Sequence, residues 1–359
     1  MTKLRSLFVL LALAIAPIAA CASPPEEGGS ADAGDGSEAA VASGSRLQTV
    51  LDRGELVCGV EGNIPGFSFV DESGTYSGLD VDFCRAVAAA LFDDPDAVQY
   101  RNLDSTERFT ALSSGEVDML SRNTTWTISR DTSVGLEFAP TTFYDGQGMM
   151  VGADSGISTL EDFDGRSVCV ETGTTTELNL TDQMSALGVD FEPVVFQDAN
   201  AAYAAYAEGR CEGMTSDKSQ LIARRSTLPD PDAHTLLDVT MSKEPLGPVT
   251  INNDSGMFDV VKWVTFATIE AEELELSSSN IGDAASSEDP NVLRFIGAEG
   301  ELGEGLGISN DFAERVVRHV GNYGEIYARN LGEDSQFNLD RGQNALWTDG
   351  GLLYSPPFR

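Results

Sequence analysis

Histidine is nearly missing from this chain: His234 and His319 are the only two among 359 residues. Neither belongs to an HExxH pattern, the five cysteines include no CxxC pair, and no GxxxxGK[ST] loop occurs, so the spacings that mark zinc enzymes and phosphate-cradling loops are absent. Positive charge is scarce as well. The 22 Lys and Arg stand against 58 Asp and Glu, a formal net charge of −36, and such a surface repels nucleic acid and anionic lipid headgroups alike. Salt would screen that self-repulsion, and the excess fits a saline habitat as well as plain solubility. Beyond residue 18 no apolar run has the length of a transmembrane helix, and no internal repeat recurs.

What is present begins with Lys3 and Arg5 ahead of the apolar run Leu7 to Ile18, the pattern of a signal peptide over residues 1–20. Ile18-Ala19-Ala20-Cys21 then resembles a bacterial lipobox, which makes Cys21 the expected lipidated residue; an ordinary small-residue cleavage site is the alternative. Residues 21–45 are dominated by Gly, Ala, Ser, Asp, Glu and Pro with a lone Val41, too little apolar surface to offset their ordering entropy, and read as a flexible acidic tether. The chain from Arg46 onward keeps 53 acids against 20 bases, and its length leaves room for two domains.

In that part, Leu56 to Val60 reads as a buried strand and Leu79 to Phe92 as an amphipathic helix, with Val81, Cys84, Val87, Ala88 and Leu91 at helical spacing. A strand at Val98 to Tyr100, a helix at Glu107 to Ser114 and a strand at Val117 to Leu120 complete a βαβαβ run. Such alternation implies a parallel sheet that presents functional groups at the carboxyl ends of its strands. Tyr144-Asp145-Gly146-Gln147-Gly148 is an extended, glycine-punctuated crossing into a second set: strand Ser167 to Val170, a helix to about Leu187, strand Pro193 to Phe196, helix Ala199 to Glu208, and a strand ending at Asp217. Leu237 to Met241 and Pro245 to Ile251 read as the return, followed by helical stretches at Met257 to Leu274 and Phe312 to Leu331. With Cys21 set aside, Cys58, Cys84, Cys169 and Cys211 form an even set with three pairings open. Cys58–Cys84 and Cys169–Cys211, each local to one βα unit, are the simplest, with zinc as the competitor.

The stretch Leu120 to Val151 concentrates the chemistry. Arg130, a fixed cation, stands behind hydroxyl and amide side chains at Ser121, Asn123, Thr124, Thr125 and Thr127. A guanidinium offers a planar fork of donors that fits a carboxylate bidentately and keeps its charge at any working pH. The pattern from Asn123 through Arg130 to Phe138, Pro140 and Tyr144 resembles the polar amino-acid family of extracytoplasmic solute-binding proteins, family 3, which feed ABC importers. Ser121-Arg122-Asn123-Thr124-Thr125-Trp126-Thr127 and the long tail through Trp347 resemble its general L-amino-acid subgroup, and the likeness runs from about Arg46 to the C-terminus.

The resemblance implies an α/β type II periplasmic-binding-protein fold, each of two lobes a mostly parallel sheet flanked by helices, with two hinge crossings. Lobe one would comprise 46–145 and 244–359 with a C-terminal extension, and lobe two 146–243. It also implies an L-amino acid gripped by Arg130 with the backbone N–H groups of Thr125 and Thr175, its ammonium on Asp217 helped by Asn123. Phe67 matches a residue near the ligand side chain, and Thr174, Arg122 and Glu61 complete the expected ligand-binding set. Bland readings stand beside these: Thr174 with Glu177 as a capping box, Asp217 as an N-cap, Phe67 as core. Trp126 departs from the smaller aliphatic residue of single-substrate relatives, so no side-chain preference carries over. No cofactor or metal is implied, and the partners would be permease subunits, with the membrane reached only through the lipid and the protein itself monomeric. A dehydratase acting on an amino-acid precursor and the ligand-sensing part of a receptor complex are the alternatives on the same fold.

Overall fold

The computed structural model describes residues 45–359, and the signal, Cys21 and tether readings lie outside that range. Leu56–Val60 is buried along its whole length and forms the middle of a parallel trio, with Val98–Asn102 on one side and Met119–Leu120 on the other. The helix Leu79–Phe92 covers this sheet through Leu79, Val81, Phe83 and an unbroken run of buried alanines and Val87. Its Cys84 is bonded to Cys58 on the central strand. The helix starts at Gly78, where φ is 126° and an added Cβ would lie 2.1 Å from the Phe67 carbonyl oxygen, so only glycine allows this approach. Two further strands complete a five-stranded mixed sheet: the returning Val249–Ile251 runs antiparallel both to Met119–Leu120 and to Leu136–Phe138.

The second sheet repeats the plan. Ser167–Glu171 lies between Glu192–Phe196 and Gly213–Asp217, all parallel, and Cys169 is bonded to Cys211 just ahead of the third strand. The long strand Phe143–Gly152 adds antiparallel to Gly213–Asp217, with Asp217 opposite Gln147, and also to His234–Leu236. Near its start the same strand pairs with Lys243–Leu246, with Glu244 opposite Asp145. The chain thus leaves the first sheet and comes back to it along two antiparallel neighbours. No helix among the described residues is long and apolar enough to cross a membrane.

The C-terminal part corrects the reading of one helix from Phe312 to Leu331. Two helices, Phe312–His319 and Tyr323–Asn330, are separated by Gly321 at φ 94°, and Asn322 with Glu325 forms a reciprocal capping box that starts the second. Tyr323 and Tyr327 then lie beneath Arg341, which is held bidentately by Glu272 at 3.0 and 3.2 Å and donates through Nε to the Asn344 carbonyl at 2.7 Å. Asn344 behaves like a strand residue toward the outgoing strand: its Oδ1 accepts from Tyr144 N at 2.6 Å, and its Nδ2 donates to Tyr144 O at 3.2 Å. Asn344 is buried, so Asn344→Ala should cost about 1–3 kcal/mol by leaving that backbone amide unpaired. Thermal denaturation checks this, and an unchanged melting temperature would mean that water replaces the side chain at no cost.

Candidate functional site

The two lobes face each other across a small cavity. The first lobe contributes Arg108, Arg122, Asn123, Thr125 and Arg130, and the second Glu171, Thr174, Thr175, Thr176, Ser216, Asp217 and Gln220. Arg130 lies on a short helix, Ile128–Thr132, that Thr127 caps by accepting from Arg130 N at 3.3 Å. Its guanidinium turns inward, donates to the Thr125 carbonyl at 2.7 Å and packs over the Phe109 ring, 5.3 Å from the centroid. Burial lowers its pKa to about 10, opposed by the carboxylates of Glu244 and Asp217, so it stays charged at neutral pH. Arg130 is thus a buried helix residue rather than a solvated loop arginine.

Asn123 adopts φ 42°, and the loop that carries it is held by a buried acid the sequence reading passed over. Asp80, in the first turn of the Leu79–Phe92 helix, accepts from Asn123 N at 3.0 Å and from Ser121 Oγ at 3.2 Å. Neither polar atom of the Asn123 side chain has a partner among the described residues. On the other lobe, Glu171 ends its strand and Thr174 caps the helix Thr175–Leu187, accepting from Glu177 N at 3.1 Å. Glu177 does not close a reciprocal box on Thr174; its carboxylate accepts from Gly173 N and the Thr172 hydroxyl instead. Thr175 Oγ1 donates to Glu244 at 2.8 Å and meets Thr125 Oγ1 at 3.3 Å.

Asp217 ends its strand at the N-cap position of Lys218–Arg225 but makes no capping hydrogen bond, so the capping account fails. Burial, with the carboxylates of Asp145 and Glu244 behind it, raises its pKa well above the usual range. Further contacts join the lobes around the cavity. Ser105 Oγ donates to the Thr172 carbonyl at 2.6 Å, Arg224 Nη1 to the Asn63 carbonyl at 3.0 Å, and Arg122 lies 3.7 Å from Glu171. The lobes are closed on each other.

Of the nine residues expected at the site, Arg130, Asp217, Thr125, Thr175, Asn123, Thr174 and Arg122 line this cavity. Glu61 lines an adjoining one with Asn63, Asp104, Asp198 and Asn200, and Glu171 forms part of both walls. Phe67 is a correction: it is 1% exposed and packs edge-on against Phe143 in the core, just ahead of the paired strands Ser68–Val70 and Tyr76–Ser77, rather than toward the cleft. Arg108, Glu171, Thr176, Ser216 and Gln220 were missed. Arg108 opens the helix after strand Val98–Asn102, and Glu171 and Ser216 sit at carboxyl ends of parallel strands, where the topology gathers ligand groups. The described residues contain no His, Cys, Asp and Glu group suited to a metal ion.

A closed cleft between two mixed-sheet lobes, with a buried cation on one side and a buried carboxylate on the other, defines a small-molecule binding protein rather than a scaffold. Residues 56–244 match the bacterial extracellular solute-binding proteins, family 3, and the chain belongs to that family. It is 46% identical to the general L-amino acid-binding periplasmic protein AapJ of Rhizobium johnstonii, over 89% of this chain and 95% of the relative. It is 45% identical to the glutamate/glutamine/aspartate/asparagine-binding protein BztA of Rhodobacter capsulatus, with the same coverage. Among solved structures, an ABC transporter periplasmic binding protein of Brucella ovis with glutathione bound is 45% identical. It superposes with a TM-score of 0.85 over 88% of this chain and 99% of that one.

The loop anchor Asp80 carries a pH signature. Burial raises its pKa from 3.8 to about 7, against the opposing pull of Asn123 N–H, Ser121 and Arg122. The folded state therefore keeps a proton that the unfolded chain has released, and this group's contribution to stability falls as pH rises from 3.8 toward 7. Melting temperatures across that range should fall more steeply for the parent than for Asp80→Asn; parallel curves would remove Asp80 from the titration.

Proposed function

We propose that this protein is the substrate-binding component of an ABC importer, capturing L-amino acids between its lobes and delivering them to a permease. The observation that carries this reading is the pair Arg130 and Asp217: a guanidinium and a carboxylate, one from each lobe, both buried and both facing one small cavity. An α-amino acid is the solute with one anionic and one cationic group on the same carbon. Arg130, with the Thr125 and Thr175 backbone N–H groups, takes the α-carboxylate, the latter at the positive end of the Thr175–Leu187 helix. Asp217 and Asn123 take the ammonium.

The chain divides at the paired strands near Asp145 and Glu244, into 46–145 with 244–359 and 146–243, and bends there. A ligand held by both lobes favours the closed form by its differential affinity for it, and closure is what the permease reads. The protein acts by binding and release without catalysis, works as a monomer, and is held at the membrane by lipid on Cys21. The names of its relatives support a free amino acid as ligand, and the glutathione-bound relative extends the range to a γ-glutamyl peptide, which carries the same α-amino-acid head.

Calorimetry on unfolded and refolded, ligand-free protein tests the site. Arg130→Ala and Arg130→Lys should each weaken every amino acid ligand, the alanine by roughly 2–5 kcal/mol, because the ligand carboxylate is left buried and underpaired. Binding of glutamate and leucine at parental strength by Arg130→Ala would discard the assignment. Small-angle scattering should show the ligand-free protein contracting on saturation, and Asp217→Ala should bind without contracting. An unchanged radius of gyration in the parent would argue for a rigid pocket.

A further inference from the structure

The zwitterion leaves one cavity group without a task. Arg108 is 2% exposed and lines the same cavity as Arg130 and Asp217. Its Nε has no hydrogen-bond partner, its only hydrogen bond runs from Nη2 to the Gly173 carbonyl at 3.4 Å, and its guanidinium lies 4.8 Å from the Phe109 ring centroid. Among the described residues no carboxylate stands within ion-pair distance of it. Arg122 is differently placed: it donates to the Leu103 carbonyl at 2.8 Å, pairs with Glu171, and lies in the field of Glu61, Asp80 and Asp104. Arg108 instead faces burial and the repulsion of Arg122 and Arg130, which outweigh the attraction of Glu171 and Asp217 and hold its pKa well down. A buried guanidinium so placed is costly unless something anionic meets it.

We propose that Arg108 is the receptor for a second, side-chain carboxylate, so that the cavity favours acidic L-amino acids over their amides and over neutral ones. This rests on the reading of Arg130 and Asp217 above. The cavity wall carries three guanidinium groups, Arg108, Arg122 and Arg130, against two carboxylates, Glu171 and Asp217. A zwitterion leaves that imbalance as it stands, whereas a ligand with one more carboxylate cancels it. Geometry separates the two receptors. Arg130 is tied back to Thr125 on its own lobe, while Arg108 reaches across to Gly173 on the other, so the two forks approach the cavity from different anchors. The unpartnered Asn123 amide, 9% exposed on the same wall, offers a donor and an acceptor to whatever ligand enters.

Titration calorimetry on the full, refolded chain decides it, with L-glutamate, L-aspartate, L-glutamine and L-glutamate γ-methyl ester as probes. The parent should bind glutamate more tightly than the ester, which has nearly the same shape without the second charge. Arg108→Gln should weaken glutamate on the order of a hundredfold while leaving glutamine nearly unchanged, and so erase the preference. Equal losses for glutamate and glutamine would overturn the proposal, because Arg108 would then serve the shared α-carboxylate or the closing of the lobes. So would a parent that binds glutamate and its ester alike, a comparison that stands even where the variant fails to fold. A folded parent that binds no amino acid would sink this proposal together with the function it rests on, whereas binding without preference would sink this one alone.

Discussion

Like charges brought together out of water are the constraint on which the site depends. Arg108, Arg122 and Arg130 converge on one cavity, while Asp217, Asp145 and Glu244 gather behind its far wall. Neither set is comfortable by itself, since a buried ion costs several kcal/mol when its partner is missing. The fold holds both sets in place by spending hydrogen bonds on the carboxylates: Glu244 accepts from Thr175, Asn179 and Ser242, and Asp145 accepts from Ser219 and Gly146. The guanidinium groups receive far less. On the proposed reading, that asymmetry is what turns the cleft toward anionic groups.

Rigid elements make such an arrangement sustainable. Each lobe has a strand pinned by a disulfide, Cys58 to the helix Leu79–Phe92 and Cys169 to the approach of Gly213–Asp217, so the strand ends that carry Glu61 and Glu171 are fixed from behind. Asp80 does the same for the loop at Asn123, a residue forced to φ 42°. Left-handed backbone at an asparagine costs little, but it directs the side chain where no protein group satisfies it.

The two sheets and both disulfides were legible because they rest on local signals, five-residue apolar strands and the helical spacing of Val81, Cys84 and Val87, whereas Glu171 and Ser216 at strand ends were passed over. Arg130 stood out by charge in polar company, and Asp217 by the family resemblance. Arg108 did not, because its neighbours Thr106 and Glu107 make it look like any solvated residue in a helix's first turn, and only the closure of the second lobe over it removes the water. Phe67 failed for a similar reason. The resemblance set it near the ligand with core packing as the alternative, and the long-range contact with Phe143 that decides between them cannot be seen in local spacing. The break at Gly321 was visible in principle, since Gly followed by an Asn-x-x-Glu cap is a stop and a start in sequence.

The acidic cluster also ties the cleft to the strands that connect the lobes. Glu244 sits opposite Asp145 on one pair of strands, and Asp217 lies opposite Gln147, two positions along the same outgoing strand on another, so three carboxylates gather along that strand. Burial raises the pKa of Asp145 to about 6, with Glu244 adding to the rise, and Asp217 feels both. On the proposed binding mode, an ammonium set against Asp217 relieves repulsion that is otherwise borne by the two crossing strands. Thr175 carries the effect further, since its hydroxyl bonds Glu244 on one crossing and meets Thr125 on the opposite lobe. A ligand that supplies charge of both signs therefore acts on the groups that line the cleft and on the strands about which the lobes would turn, and binding and closure become one electrostatic event rather than two.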